Sequence, residues 1–245
     1  MEFELIIAIV LILMTAFMFA PLGLGGGVLY VPIFLFLLDW EIHLALVSSL
    51  LLVWMVSLGS KAAHSKGGYA VKEVGYKGTV AALIGAVVGT ILAAFIIGEL
   101  GDVPSKILAS ILLGWVLYTT IKKLTKELNG NGNGDTETPV VEGEILNAYR
   151  AGCFGGGAAS GFLGIGGGAI FVTIHSSILG LKQHQAAGTS FLIESWIVPT
   201  GIITHLIIDG TGPEILQTFG IYILPICGIV AATPWLGAQV AIKML

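Results

Sequence analysis

Apolar residues reach this chain in long blocks, most of them about the length that an α-helix needs to cross a bilayer. That spacing limits the fold more than any other feature. The blocks run over residues 5–21, 28–38, 44–60, 78–98, 107–121, 145–163, 165–179, 186–208 and 215–241. Only 11% of the 245 residues are charged, too few to coat a soluble surface. A transmembrane β-barrel would alternate apolar and polar residues over about ten positions, and these blocks do not alternate. The reading is an all-α, polytopic helical membrane protein. Residues 1–20 lack the basic start of a signal peptide, carrying Glu2 and Glu4 instead, and read as the first span.

The polar loops set the orientation. With the N-terminus outside, Lys61, Lys66, Lys72 and Lys77 fall inside, as do Lys122, Lys123, Lys126, Lys182 and Lys243. The acidic turns at Asp39, Glu99 and Asp209 then fall outside. The Asn-Gly run after Asn129 and the acids Glu142 and Glu144 mark a flexible cytoplasmic linker. The expected division is an N-terminal transmembrane repeat over 1–121, the linker over 122–144 and a C-terminal transmembrane repeat over 145–245 in a cell membrane.

Gly23-Leu24-Gly25-Gly26-Gly27 returns as Gly164-Ile165-Gly166-Gly167-Gly168. A shift of 141 residues superposes Gly23 through His64 on Gly164 through His205 without a gap. It pairs Val31 with Val172, His43 with His184, Ser49 with Ser190 and His64 with His205, and sets Ser48 on Thr189. The first half holds an odd number of segments, so the second copy is expected to enter the membrane upside down. Inverted repeats mark alternating-access transporters, with the site at the repeat interface. Nothing after Leu245 answers to residues 107–121, so either the second repeat lacks that last helix or the sequence stops short of it.

Each glycine cluster opens a short apolar segment, expected to be a broken or re-entrant helix. A helix N-terminus offers bare N–H groups and a partial positive charge, and glycine lets a ligand approach the backbone. Gly25, Gly26 and Gly27 with Gly166, Gly167 and Gly168 are therefore the candidate anion site. The plainer alternative is that these glycines only allow close packing or a kink. Ser48, Ser49, Thr189 and Ser190 sit early in the following segments and could add hydroxyl donors, or bond back to their own helices.

Glu194 is a carboxyl well inside a span, a costly and usually functional placement, with Val53 at the matching position of the first half. It is the candidate proton carrier, with His205 as a second titrating group; structural roles remain the alternative for both. Cys153 and Cys227 read as inert packing thiols, with a redox or sulfur-handling role as the alternative. No metal-ligand spacing, P-loop or dinucleotide fingerprint is present, so neither metal nor cofactor is expected. The expected partners are a small anion and the lipid bilayer, with a homodimer as one assembly and no nucleic acid.

GLGGGVLYVP at 23–32, GIGGGAIFVT at 164–173 and AGTS at 187–190 resemble the TauE/SafE sulfite-exporter family, the TSUP permeases, over about the whole chain. Thr173 stands where the second copy of that pattern usually has proline, and residues 45–48 read ALVS where AGTS is usual. The resemblance implies a non-enzymatic secondary transporter of sulfite, a sulfonate or a related sulfur oxyanion. Two other classes stay open. One is a passive anion channel. The other is an intramembrane serine hydrolase, on the faint likeness of Gly188-Thr189-Ser190-Phe191 to a rhomboid nucleophile region, with His64 or His205 as base.

Overall fold

The apolar blocks are helices. A computed structural model describes residues 2–129, 141–220 and 223–244, and no strand occurs among the described residues. In order they are α1 (Glu2–Phe19), α2 (Gly27–Pro32), α3 (Ile42–Lys66), α4 (Lys72–Leu100), α5 (Asp102–Asn129), α6 (Gly143–Leu163), α7 (Gly168–Leu179), α8 (Gln183–Ile208), α9 (Gly212–Phe219) and α10 (Ile223–Met244). Helix α5 continues to Asn129, through the first part of the stretch that the sequence assigns to the linker, and α6 begins at Gly143, inside its last part; residues 130–140 of that linker lie outside the described residues.

Among the described residues, four stretches are long and apolar enough to cross a membrane: Phe3–Leu22, Ile42–Lys66, Lys72–Leu100 and Gln183–Ile208. Their outward faces stay apolar, with Ile84, Phe95, Ile203 and Ile207 exposed. In water such surfaces would aggregate; in lipid they are the solvent-facing side. This is a multi-pass membrane protein.

The helices approach closely because glycine and alanine line their contacts. A Cβ on Gly85 or Gly89 would strike the Phe154 and Ala158 carbonyls of α6, and one on Gly157 or Gly161 would strike the Ala82 and Ala86 carbonyls of α4. Helices α3 and α8 pack on each other at the centre. Helix α10 covers the far side of α3, and α4 covers that of α8.

The two glycine clusters break the pattern. Helix α7 has 12 residues, so it spans about 18 Å, short of the roughly 30 Å of a hydrocarbon core. Helix α2 ends at Pro32 and runs on as a wide turn over Ile33–Leu37, where Leu38 N–H bonds the Ile33 carbonyl five residues back.

Candidate functional site

Both clusters adopt the same unusual backbone. Gly23 and Gly164 are left-handed, with φ of 77° and 68°. Gly25 and Gly166 follow at 68° and 77°, then Gly26 and Gly167 at 88° and 79°, which cap α2 and α7. Side-chain-bearing residues rarely take such angles, which is why glycine fills these places. Gly25, Gly27, Gly166, Gly167 and Gly168 find no acceptor for their N–H groups among the described residues.

The clusters meet each other. A Cβ on Gly27 would lie 2.5 Å from the Ile165 Cα, and one on Gly168 would lie 2.9 Å from the Leu24 carbonyl carbon. Gly23 faces Ala187 of α8 just as Gly164 faces Leu46 of α3. These contacts recur in pairs, each residue exchanged for the one 141 positions away.

Glu194 sits at the junction. It is 0% exposed, and its Oε1 crowds the position of a Gly168 Cβ while Oε2 lies 3.0 Å from that of a Gly25 Cβ. The Ser57 hydroxyl donates to Oε2 at 2.7 Å, and Oε1 has no partner among the described residues. Opposite, a Gly166 Cβ would meet Val53 and Val198. Val53 and Val198 are the counterparts of Glu194 and Ser57 under the same shift, so one side of the junction is polar and the other apolar.

The other hydroxyls make varied contacts. Ser49 donates to the Gly164 carbonyl at 2.7 Å, tying α3 to the opposite cluster. Ser190 donates to Ala186 O at 2.8 Å within its own helix, and Thr189 Oγ1 accepts the Val71 N–H. Ser48 is buried, and its hydroxyl finds no partner among the described residues.

His205 lies eleven residues beyond Glu194 on α8, roughly 16 Å away at about 1.5 Å per residue. Its Nδ1 meets Asp209 Oδ2 at 2.6 Å and its Nε2 meets Gly161 O at 3.0 Å. His43, from the start of α3, reaches the same Oδ2 at 2.9 Å. Burial pushes the Asp209 carboxyl up, but the hydrogen bonds from His205 and His43 outweigh it and hold it at about 2.

Sequence reading missed two groups. Ser57 belongs to a polar stripe on α3 with Ser60, Lys61 and His64; this i, i+3, i+4, i+7 spacing was available as a signal. His175 has Phe34 as its counterpart and no local signature. Its Nε2 lies 3.1 Å from the Tyr149 hydroxyl and its Nδ1 3.1 Å from Ser190 Oγ, joining α6, α7 and α8 through buried polar atoms.

A multi-pass helical protein whose two half-length helices converge on a buried carboxyl has the anatomy of a membrane permease. The chain belongs to the Sulfite exporter TauE/SafE family, whose model matches residues 7–245. No curated protein and no solved structure matches it.

Proposed function

We propose that this protein is a secondary transporter of a small oxyanion of the sulfite or sulfonate class. It works by alternating access between two inverted repeats, with its N-terminus and Asp209 outside and its lysine-bearing end in the cytoplasm. One observation carries the reading: two glycine-capped half-helices meet back to back with the Glu194 carboxyl between them. The paired contacts support a two-fold relation of the halves, and the family's exporter description supports the substrate class.

The chemistry follows from charge. Free amides at two helix tips attract an anion without a buried lysine. An ionised Glu194 would repel that anion, and a protonated one would not. A proton arriving at Glu194 thus favours anion binding, and its departure favours release, which couples the two fluxes. The Ser57 hydroxyl holds Oε2 in place while Oε1 takes or gives the proton.

The test is uptake of labelled sulfite into proteoliposomes with and without a pH gradient. Gradient-driven accumulation in wild type, abolished in Glu194→Gln, is the expected result. Downhill flux that ignores the gradient would instead make the protein a channel.

A further inference from the structure

His175 is 0% exposed and takes no part in the coupling at Glu194. It stands near the end of α7, on the Lys182 side of the junction. Three other helices surround it. Its Nε2 lies 3.1 Å from the Tyr149 hydroxyl of α6, and that hydroxyl lies 3.2 Å from the Val74 carbonyl of α4. Its Nδ1 lies 3.1 Å from Ser190 Oγ of α8, which lies 2.8 Å from the Ala186 carbonyl. Nδ1 is also 3.2 Å from that carbonyl, which can accept from both. Tyr149 and Ser190 are as fully buried as His175.

Counting hydrogens shows what this chain of atoms can hold. Its contacts run in series from Ala186 O to Ser190, His175, Tyr149 and Val74 O, and each needs one hydrogen. The Ser190 and Tyr149 hydroxyls supply one apiece. A neutral imidazole supplies one more and leaves one contact without a hydrogen. An imidazolium supplies two and fills every contact. Both ends of the series are carbonyls, which only accept, so the added proton meets no opposing donor. With a neutral ring, Tyr149 turns its hydrogen either to Nε2 or to Val74 O. The same atoms thus suit both states of the ring.

The titratable groups nearby leave this series to itself. Helix α6 adds Cys153, which flanks Gly78 of α4 beside Tyr149. On α4, Glu73 and Lys77 pair with each other at 3.4 Å. His64 of α3 stands against Phe191 instead. On α8 the next titratable group after Ser190 is Glu194, four residues on, on the same face and about 6 Å along the axis.

The mirrored place is apolar. The shift of 141 residues puts Ala8, Phe34 and Ser49 where Tyr149, His175 and Ser190 stand. Ala8 and Phe34 line an apolar cavity of about 420 Å³, and Ser49 turns away to the Gly164 carbonyl.

We infer that His175 is a second protonation site of the transport cycle, which exchanges its proton with Glu194 through the Ser190 hydroxyl. The inference rests on the transporter reading above and gives the coupling proton a route on the Lys182 side. In the exchange, the imidazolium gives its Nδ1 proton to Ser190 Oγ. Ser190 passes its own hydrogen, by way of one water, to the Glu194 carboxylate. His175 ends neutral and Glu194 ends as the acid, and the reverse step restores both.

Two measurements test this. The first follows the ring nitrogen resonances of isotope-labelled histidine in the full chain, in nanodiscs. Those of His175 are assigned through their nearness to the Tyr149 ring, 5.7 Å between centroids. They should pass from the neutral to the imidazolium pattern between about pH 8 and about pH 5. A ring that stays neutral, or stays cationic, across that range overturns the site. The second is sulfite accumulation in proteoliposomes under a pH gradient. His175→Gln keeps a donor and an acceptor but cannot carry the added proton. It should lower accumulation about tenfold and flatten its dependence on pH. Ser190→Ala should do the same, and Ser190→Thr should restore much of the loss. A wild-type pH dependence in His175→Gln makes the residue a structural pin and overturns the inference, as does full accumulation in Ser190→Ala. Wild type that accumulates no sulfite under any gradient defeats the transporter reading instead, and the resonances still decide whether His175 takes up a proton.

Discussion

The stretches 23–64 and 164–205 share a backbone plan and divide its chemistry. Each bends through three left-handed glycines into a half-length helix, then returns as a central helix with a histidine near its far end. The second stretch carries Glu194, and Asp209 just beyond it, where the first has Val53 and Gly68. The first carries Ser57 and Lys61 where the second has Val198 and Ile202. What the halves kept is the part that packs, since the tips touch backbone to backbone and leave no room for change. What they lost is the equivalence of polar groups, and with it the equivalence of the two ends.

The largest effects are expected where the halves still agree. Gly27→Ala and Gly168→Ala each drive a methyl group into the opposite cluster, against the Ile165 Cα at 2.5 Å and the Gly23 carbonyl at 2.5 Å. Neither neighbour is a flexible side chain, so each change should cost about 3 kcal/mol or more and lower the melting temperature of detergent-purified protein. Gly26→Val and Gly167→Val press instead on the Tyr30 and Phe171 rings, and on a left-handed backbone. They are expected to insert into the membrane and to lose transport. Unchanged melting of both alanine variants would break the comparison at its root.

The same contrast explains what could be read in advance. Left-handed turns demand glycine, so the doubled cluster was visible in the residues alone, as were the spans and the sulfite-exporter family. Glu194 was visible because a carboxyl in an apolar run is conspicuous. Ser57 was not, since serine is common inside membrane helices and only the approach of α8 gives it a partner. His175 was hidden for a related reason: its contacts, Tyr149 and Ser190, come from helices on either side of it in sequence and exist only after packing. The Asp209 cluster combined both cases. His43 and His205 were seen as a matched set with their copies, but the carboxylate that joins them, 166 residues along the chain from His43, was read only as a loop acid.

The polar side of the junction comes next. Glu194→Gln keeps the shape of the side chain and can still accept from Ser57, so the fold should survive while accumulation against a gradient disappears. Persisting gradient-driven accumulation would remove Glu194 from the coupling. Ser57→Ala leaves Oε2 without its donor and should cost about 2–3 kcal/mol of stability, besides altering the pH profile of transport. Val198→Ala, at the mirrored position, should leave that pH profile as it is. If both substitutions move it alike, the two sides of the junction are not chemically distinct.

The smallest effect belongs to the Asp209 end. The carboxyl is held at about 2 in the folded protein against an ordinary 3.8, so ionised Asp209 stabilises the fold. A depressed folded-state value places the sign: the contribution is whole above 3.8 and fades as the pH falls through about 2. Asp209→Asn should therefore lower stability by about 1–2 kcal/mol at neutral pH, because the hydrogen bonds from His43 and His205 lose their charged acceptor. The difference in melting temperature between wild type and variant should hold steady down to mildly acid pH and then close. A gap that is constant across this range would mean that Asp209 works by shape alone. The contrast between an end that holds a buried carboxylate and one that does not would then lose its electrostatic basis.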